Sequence, residues 1–368
     1  MKNLIDIIDL SVEEIDETIK LALDIIKNPT TYSHACDGKV LASLFFEAST
    51  RTRLSFESAM IKLGGGVISV PGAQISSISK GESIADTAKI VSCYSDIIAM
   101  RNPVEGSAYV LGQNASVPVI NAGDGGHCHP TQTTADLLTI YRVMGRLENL
   151  KIGLCGDLLY GRTVHSLINA MNRYKGIKYV LISPKELSLP DYLKDKLDSD
   201  GVCYEEVESL EDAMPSLDVL YMTRIQRERF SDPAQYERLK NSYCLTKDKM
   251  NLAGEDMCLL HPLPRVNEIS EKIDEDKRAY YFDQALNGRY MRMALILKLL
   301  RDNESFVNSI PAGTARHFVP DYIPEKYKGI AEVNVHKCTN PKCITQTEQE
   351  LDHISINGRC LFCEQKTI

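Results

Sequence analysis

Hydrophobic positions along this chain follow two periods, and the period changes many times. Short, largely apolar runs predict strands at 40–46, 67–70, 96–100, 117–123, 151–157, 178–183, 219–223 and 257–260, the 40–46 run reading as a buried one. Between them the spacing turns helical. The first helix opens with the capping-box pattern Ser11-Val12-Glu13-Glu14. It carries Ile15, Ile19, Ala22 and Ile26 on one face and stops near Asn28-Pro29. Further helices are predicted after Arg53, over 84–94 and over 131–144. Gly64-Gly65-Gly66 reads as a turn, and the serine- and glycine-rich stretch 71–83 as an exposed loop. Strands alternating with helices imply α/β architecture, with two doubly wound parallel-sheet lobes. Polar residues repeatedly follow the strand ends, the ligand-binding edge of such sheets.

Ser49-Thr50-Arg51-Thr52-Arg53 is the densest of these polar strings. It lies where the 40–46 strand turns into a helix. There, unpaired backbone N–H groups and the positive end of the helix dipole face outward. Two hydroxyl-bearing threonines, a serine and two guanidinium groups add donors suited to phosphate. The alternative is a capped helix with solvated arginines.

Composition narrows the partners. The formal net charge of −8 argues against nucleic acid or an anionic membrane surface. No apolar stretch reaches the length of a bilayer span, and the N-terminus lacks a signal-peptide pattern, so a cytoplasmic location is expected. Of the 11 cysteines, Cys36, Cys93, Cys128, Cys155, Cys203, Cys244 and Cys258 are scattered and read as reduced thiols. Cys338, Cys343, Cys360 and Cys363 form two close pairs, with Asn340-Pro341 shaping a turn in the first. Asn357-Gly358 signals a tight hairpin before the second. Four thiolates so spaced suit tetrahedral structural zinc in a tail too small to fold on an apolar core. Disulfides are the alternative, and His336 and His353 are competing ligands.

The ordered set of strand-end strings carries more than any one of them. The strings are Phe46-Glu47-Ala48-Ser49-Thr50-Arg51-Thr52-Arg53, Ser76 with Lys80-Gly81-Glu82, Met100-Arg101-Asn102-Pro103 and His129-Pro130-Thr131-Gln132-Thr133. Gly161-Arg162-Thr163-Val164-His165-Ser166, Met222-Thr223-Arg224-Ile225-Gln226 and His261-Pro262-Leu263-Pro264-Arg265 follow. In this order they resemble the aspartate carbamoyltransferase catalytic chain, over roughly residues 1–303. The resemblance implies a carbamoyl phosphate-binding lobe at 1–135, completed by a helix at 288–303, and an aspartate-binding lobe at 136–287. A linker at 304–335 and the zinc-binding tail at 336–368 complete the expected organisation.

It also implies residue roles. Ser49, Thr50, Arg51 and Thr52 would bind the phosphate, and Arg101 would also contact carbamoyl phosphate. Thr52, Arg101 and His129 would polarise the carbamoyl oxygen. Gln132 and the carbonyls of Pro262 and Leu263 would hold the carbamoyl NH₂. Arg162, Arg224 and Gln226 would grip the aspartate carboxylates. Ser76 and Lys80 would reach into a neighbouring subunit's site in a homotrimer, although Ser79 stands where some relatives carry a second lysine. Glu47 and Arg229 would pair on domain closure, or remain solvated charges. The catalytic set would thus be Arg51, Thr52, Lys80, Arg101 and His129.

The implied reaction transfers the carbamoyl group to the amine of L-aspartate and releases phosphate, a step of de novo pyrimidine biosynthesis. No covalent enzyme intermediate and no organic cofactor is implied. Fixed cations would offset about four substrate negative charges held in one cleft. The alternatives are an ornithine or related carbamoyltransferase and a non-catalytic carbamoyltransferase-like assembly subunit. Against the first, the chain has His261-Pro262-Leu263-Pro264 where the ornithine enzymes carry a cysteine. The tail resembles the zinc domain of the aspartate carbamoyltransferase regulatory chain, fused here to a catalytic chain. Association with a separate regulatory chain, or between trimers, is left open.

Overall fold

A computed structural model of the chain describes residues 3–225, 232–240, 242–309 and 320–368. The chain divides into two compact units, Met1–Thr131 with Arg289–Ile368, and Gln132–Gly288.

In the first unit, helix α1 (Val12–Lys27) starts at the expected capping box. Glu14 N donates to Ser11 Oγ, and Ser11 N donates to the Glu14 carboxylate. Its buried face is Ile15, Thr18, Ile19, Ala22 and Ile25, with Ile25 taking the place expected of Ile26. Strand β1 (Val40–Phe45) leads into α2 (Thr50–Lys62). Next come β2 (Gly66–Val70), α3 (Ile84–Ser92), β3 (Ile97–Asn102), α4 (Ser107–Asn114) and β4 (Val119–Asp124). The strands form a parallel sheet in the order β2-β1-β3-β4. The connections run outward in opposite directions from β1 and β3, so the switch point lies between those two strands. Segment 71–83 contains two short 3₁₀ turns, Ala73–Ile75 and Ser77–Lys80, where only loop was expected. Helix α4 was not anticipated. It is buried nearly all round and so lacks the polar face that marks a surface helix.

Helix α5 (Pro130–Met144) crosses into the second unit. That unit contains β5 (Lys151–Cys155), α6 (Arg162–Met171), β6 (Lys178–Ile182), α7 (Asp191–Ser199), β7 (Cys203–Val207) and α8 (Leu210–Ala213). Strand β8 (Val219–Met222), α9 (Pro233–Leu239), α10 (Lys247–Met250) and β9 (Cys258–Leu260) follow. Its parallel sheet has the order β7-β6-β5-β8-β9, with the switch point between β5 and β8. Strand β7 escapes the apolar-run signal because, at the sheet edge, it carries Glu205 and Glu206 outward. Gly153 and Gly156 serve packing and not a dinucleotide turn. Gly156 has φ 117°, and a Cβ there would lie 2.5 Å from Thr223 O.

The returning helix α11 spans Tyr281–Ser309, longer at both ends than expected. Residues 304–309 are therefore helix and not linker. The other end of the expected linker is also structured, since β10 (Ala331–Val333) pairs antiparallel with β11 (Ile354–Ile356). Strand β12 (Arg359–Cys360) completes a hairpin with β11 through Asn357 and Gly358, both at positive φ, as the Asn-Gly signal requires. A single turn of helix, α12 (Ile344–Thr347), follows Cys343. The tail is not a body apart. Phe362, Ile344 and Ile354 share one apolar core with Val110, Leu111 and Met100 of the first unit, and Phe362 meets Tyr109 and Tyr322 edge-on.

Candidate functional site

Three strand exits of the first unit carry Ser49–Thr52, Arg101 and His129 of the predicted carbamoyl phosphate residues. Ser49 is the N-cap of α2, and its side chain makes no capping hydrogen bond. Thr50, Arg51 and Thr52 form the first helical turn, with Thr50 and Arg51 exposed. The next arginine points elsewhere. Arg53 lies 3.7 Å from Glu57, whose Oε1 also accepts hydrogen bonds from Ser43 and Ser69.

Arg101 closes β3 and is 8% exposed. Its carbonyl accepts hydrogen bonds from Phe46 N and Glu47 N, which holds the exit of β1 beside that of β3. Its Nε lies 3.1 Å from Glu47 Oε2, and Nη1 donates to Ala122 O. Burial lowers the Arg101 pKa, and the Glu47 carboxylate opposes that shift. Gly123, at the end of β4, is wedged between the two predicted polarising groups. At φ 119°, a Cβ there would sit 2.9 Å from Arg101 Nη1 and 3.6 Å from His129 Cδ2. Glycine is thus required for the Arg101 guanidinium and the buried His129 ring to flank one backbone position.

The loop from Gly123 to His129 is held by side chains that the motif reading missed. Asn121 Oδ1 accepts from Gly123 N, and Asn121 Nδ2 donates to Asp124 Oδ1. The buried Asp124 accepts from Gly106 N and Cys128 N and pairs with His127 Nδ1 at 2.9 Å. Glu105 Oε1 accepts from Gly126 N. Asp124, His127 and Cys128 lie close enough to be a metal triad. Both Asp124 oxygens are already spent on backbone and side-chain donors, which makes the cluster a loop brace.

Ser76 donates to Ala73 O, and Lys80 ends an exposed 3₁₀ turn just before Gly81 at φ 92°. Among the described residues the Lys80 side chain has no ion pair.

In the second unit, Arg162 is the first residue of α6, beyond the end of β5. Arg224 follows β8. Thr223 ties the two strand exits together, since its Oγ1 donates to Cys155 O and accepts from Asp157 N. Gln226 and Arg229 lie outside the described residues. Pro262 and Leu263 follow β9, with Leu263 at φ 51° and a cis bond to Pro264. His261 shapes this turn. Its Nδ1 accepts from Leu263 N, and its Nε2 meets Glu268 at 2.8 Å. Burial lowers the His261 pKa against the pull of Glu268. A buried relay joins this turn to the predicted Gln132. Gln132 Nε2 and Gln284 Nε2 both donate to Asp136 Oδ1, and Gln284 Oε1 accepts from His261 N. Asp136 and Glu268 each lie three residues beyond a short string and Gln284 lies far from any, and none of the three carries a local signal of its own.

Residues 2–142 match the family model for the aspartate/ornithine carbamoyltransferase carbamoyl-P binding domain, and 148–299 match its Asp/Orn binding domain. The aspartate carbamoyltransferase catalytic subunit of Clostridium novyi (strain NT) is 59% identical over 299 residues, covering 81% of this chain and 98% of its own length. The chain belongs to the aspartate carbamoyltransferase catalytic-subunit family.

Solved structures of aspartate transcarbamoylases carry the same fold. The M. jannaschii catalytic subunit superposes with TM-score 0.77 at 45% identity, covering 83% of this chain and 99% of that one. The Trypanosoma cruzi aspartate transcarbamoylase superposes with TM-score 0.76 at 36% identity, covering 81% and 96%. It was solved in complex with carbamoyl phosphate and aspartate.

The tail lies beyond the residues matched by the aspartate carbamoyltransferase domains, which end at 299. Its four cysteine Sγ atoms are buried and lie within 4.8 Å of one another. Cys338 and Cys363 are 3.4 Å apart, and Cys343 and Cys360 are 3.8 Å apart. Four sulfurs about 2.3 Å from a tetrahedral centre stand about 3.8 Å apart, so the cluster is compatible with zinc. Cys343 Sγ is surrounded by Cys360, Cys363 and the Thr345 hydroxyl, and these hydrogen bonds hold its thiol well below the usual range. His336 and His353 are not part of the cluster.

Proposed function

We propose that the chain transfers the carbamoyl group of carbamoyl phosphate to the amine of L-aspartate, giving N-carbamoyl-L-aspartate and phosphate. The placement of Arg101 and His129 about Gly123 carries this reading. It sets a guanidinium and an imidazole about the β4 exit, and the Arg101 backbone in turn holds the β1 exit that leads to Ser49–Thr52. In this reading the α2 N-terminus with Ser49, Thr50, Arg51 and Thr52 receives the phosphate. Thr52, Arg101 and His129 polarise the carbonyl as negative charge builds on its oxygen. Gln132 and the carbonyls of Pro262 and Leu263 orient the NH₂ group. The aspartate amine attacks the carbonyl carbon, the tetrahedral intermediate collapses, and the departing phosphate takes the amine proton. Arg162, Arg224 and Gln226 select the dicarboxylate, and Ser76 and Lys80 complete the site of a neighbouring subunit in a homotrimer. The protein contributes position and fixed charge.

The four tail cysteines are proposed to hold one structural zinc, in a unit resembling the zinc domain of the regulatory chain. A cytoplasmic location is proposed as well. Among the described residues no helix is long and apolar enough to cross a membrane.

The deciding experiment is a paired assay of the purified chain with carbamoyl phosphate and either L-aspartate or L-ornithine. Phosphate release with aspartate is expected. Turnover of ornithine with none of aspartate would overturn the assignment, and no turnover of either would favour the assembly-subunit alternative.

A further inference from the structure

We propose that the cysteine tail acts within its own chain as a positioning device for the carbamoyl phosphate half of the site. It would grip the His129 loop through Glu105 and the Ser76–Lys80 segment through Glu348. The proposal rests on the site assignment above.

The first grip passes through Glu105, which is buried in the first unit. Its backbone is docked on the tail, since Glu105 N donates to Lys342 O and Ile344 N donates to Glu105 O. Its carboxylate is divided between the two sides. Oε2 accepts from Asn340 Nδ2 of the tail at 2.6 Å, and Oε1 accepts from Gly126 N of the His129 loop at 2.9 Å. The fit is close, because a Cβ on Gly125 would fall 2.6 Å from Glu105 Cγ. A carboxylate whose two oxygens bridge two segments fixes their separation better than apolar contact, since both bonds are directional and charge-assisted.

The second grip is Glu348. Its Oε1 accepts from Ile84 N at 2.6 Å. Ile84 is the first residue of α3, and its N–H is one of the helix-end donors without a partner inside the helix. Ser83 Oγ satisfies Asp86 N, and the tail satisfies Ile84 N. The end of the segment bearing Ser76 and Lys80 is thereby anchored to the tail. Both grips emerge from one short piece of chain. Helix α12 follows its N-cap Cys343, donates Ile344 N to Glu105, and ends where Glu348 N bonds back to Ile344 O. The apolar contacts of Phe362, Ile344 and Ile354 would hold the tail in place without either link.

The test uses the full-length, zinc-loaded protein and the variants Asn340→Ala, Glu348→Ala and Glu348→Gln. Zinc content and limited proteolysis establish that the tail stays folded. Amide hydrogen exchange should accelerate about tenfold at 123–129 in Asn340→Ala and at 76–84 in Glu348→Ala, each without the other. The KM for carbamoyl phosphate should rise several-fold in both variants, more than kcat falls. Glu348→Gln, which keeps an accepting oxygen, should restore both readouts. If Asn340→Ala loses zinc, Glu105→Gln, changed on the lobe side, reads the same link. Unchanged exchange and KM in folded variants would overturn the positioning role, as would faster exchange with unchanged kinetics. His129→Ala is measured in parallel. If it is inactive, such a failure belongs to the tail alone, whereas full activity of His129→Ala would overturn the site assignment and this proposal with it.

Discussion

Arg101 Nε stands 3.1 Å from Glu47 Oε2, joining the exits of two adjacent parallel strands. The pair holds a guanidinium ready where its burial would otherwise be unfavourable. Arg101→Ala should reduce turnover by about 10²-fold, as loss of one transition-state donor does. Glu47→Gln should leave the guanidinium in place but less constrained, with a smaller loss seen mainly in carbamoyl phosphate binding. Steady-state kinetics at varied carbamoyl phosphate check both. Equal effects of the two changes would assign Arg101 a structural role.

Arg51 and Arg53 are two residues apart and differ in partner. Arg53 faces Glu57 on its own helix, whereas Arg51 is exposed at the helix start. Arg51→Ala should therefore lower turnover about 10²-fold or more, and Arg53→Ala far less. Lys80→Ala should also be nearly inactive. If sites are shared, mixing Arg51→Ala with Lys80→Ala subunits should recover part of the activity, because some interfaces then join an intact loop to an intact phosphate site. Mixed assemblies verified by mass that stay inactive would argue against sharing.

Removal of one tail sulfur tests the metal. Purified protein should contain one zinc per chain, and Cys360→Ser should lose most of it. Structural zinc is worth about 10–16 kcal/mol in small domains, so the tail should loosen while the second unit stays folded. Elemental analysis with limited proteolysis reads both effects. Protein prepared without chelator and devoid of zinc would reject the site.

The Asp124–His127 pair sets a pH dependence. Burial works to lower the His127 pKa, but the Asp124 charge overrides it and holds the imidazole well above its usual value. Burial likewise opposes the Asp124 charge, and His127 brings that carboxyl below its usual value. The His127 share of stability is complete below about pH 6.5 and is lost as pH rises through the raised value. The Asp124 share is present above about pH 4 and is lost as pH falls through the lowered value. Both act together between about pH 4 and 6.5. His127→Gln should cost about 1–3 kcal/mol in that window, and the cost should shrink toward pH 9. Urea unfolding at fixed pH measures it. A cost that grows above pH 6.5 would contradict the pairing.

Much of this protein is local and therefore written in the chain. Apolar runs of strand length became β1, β3–β6, β8 and β9 because a strand buried on both faces needs no polar alternation, whereas β2 at a sheet edge stays largely exposed. Ser11-Val12-Glu13-Glu14 and Asn357-Gly358 formed a cap and a hairpin because their side-chain and φ requirements are met within a few residues. Ser49–Thr52 fell at a strand-to-helix turn for the same reason. Other features depend on residues brought together only by the fold. Strand β7 exists because β6 offers it an edge, not because Cys203–Val207 is apolar. Asp136, Gln284 and His261 became a relay when α5, α11 and the turn after β9 met. Glu105, an ordinary acidic residue in the chain, found Gly126 on one side and Asn340 on the other. Local backbone preference carries no information about such partners. Only tertiary packing decides which buried oxygen meets which distant N–H, because an unpaired polar group in the interior is too costly to leave unmet.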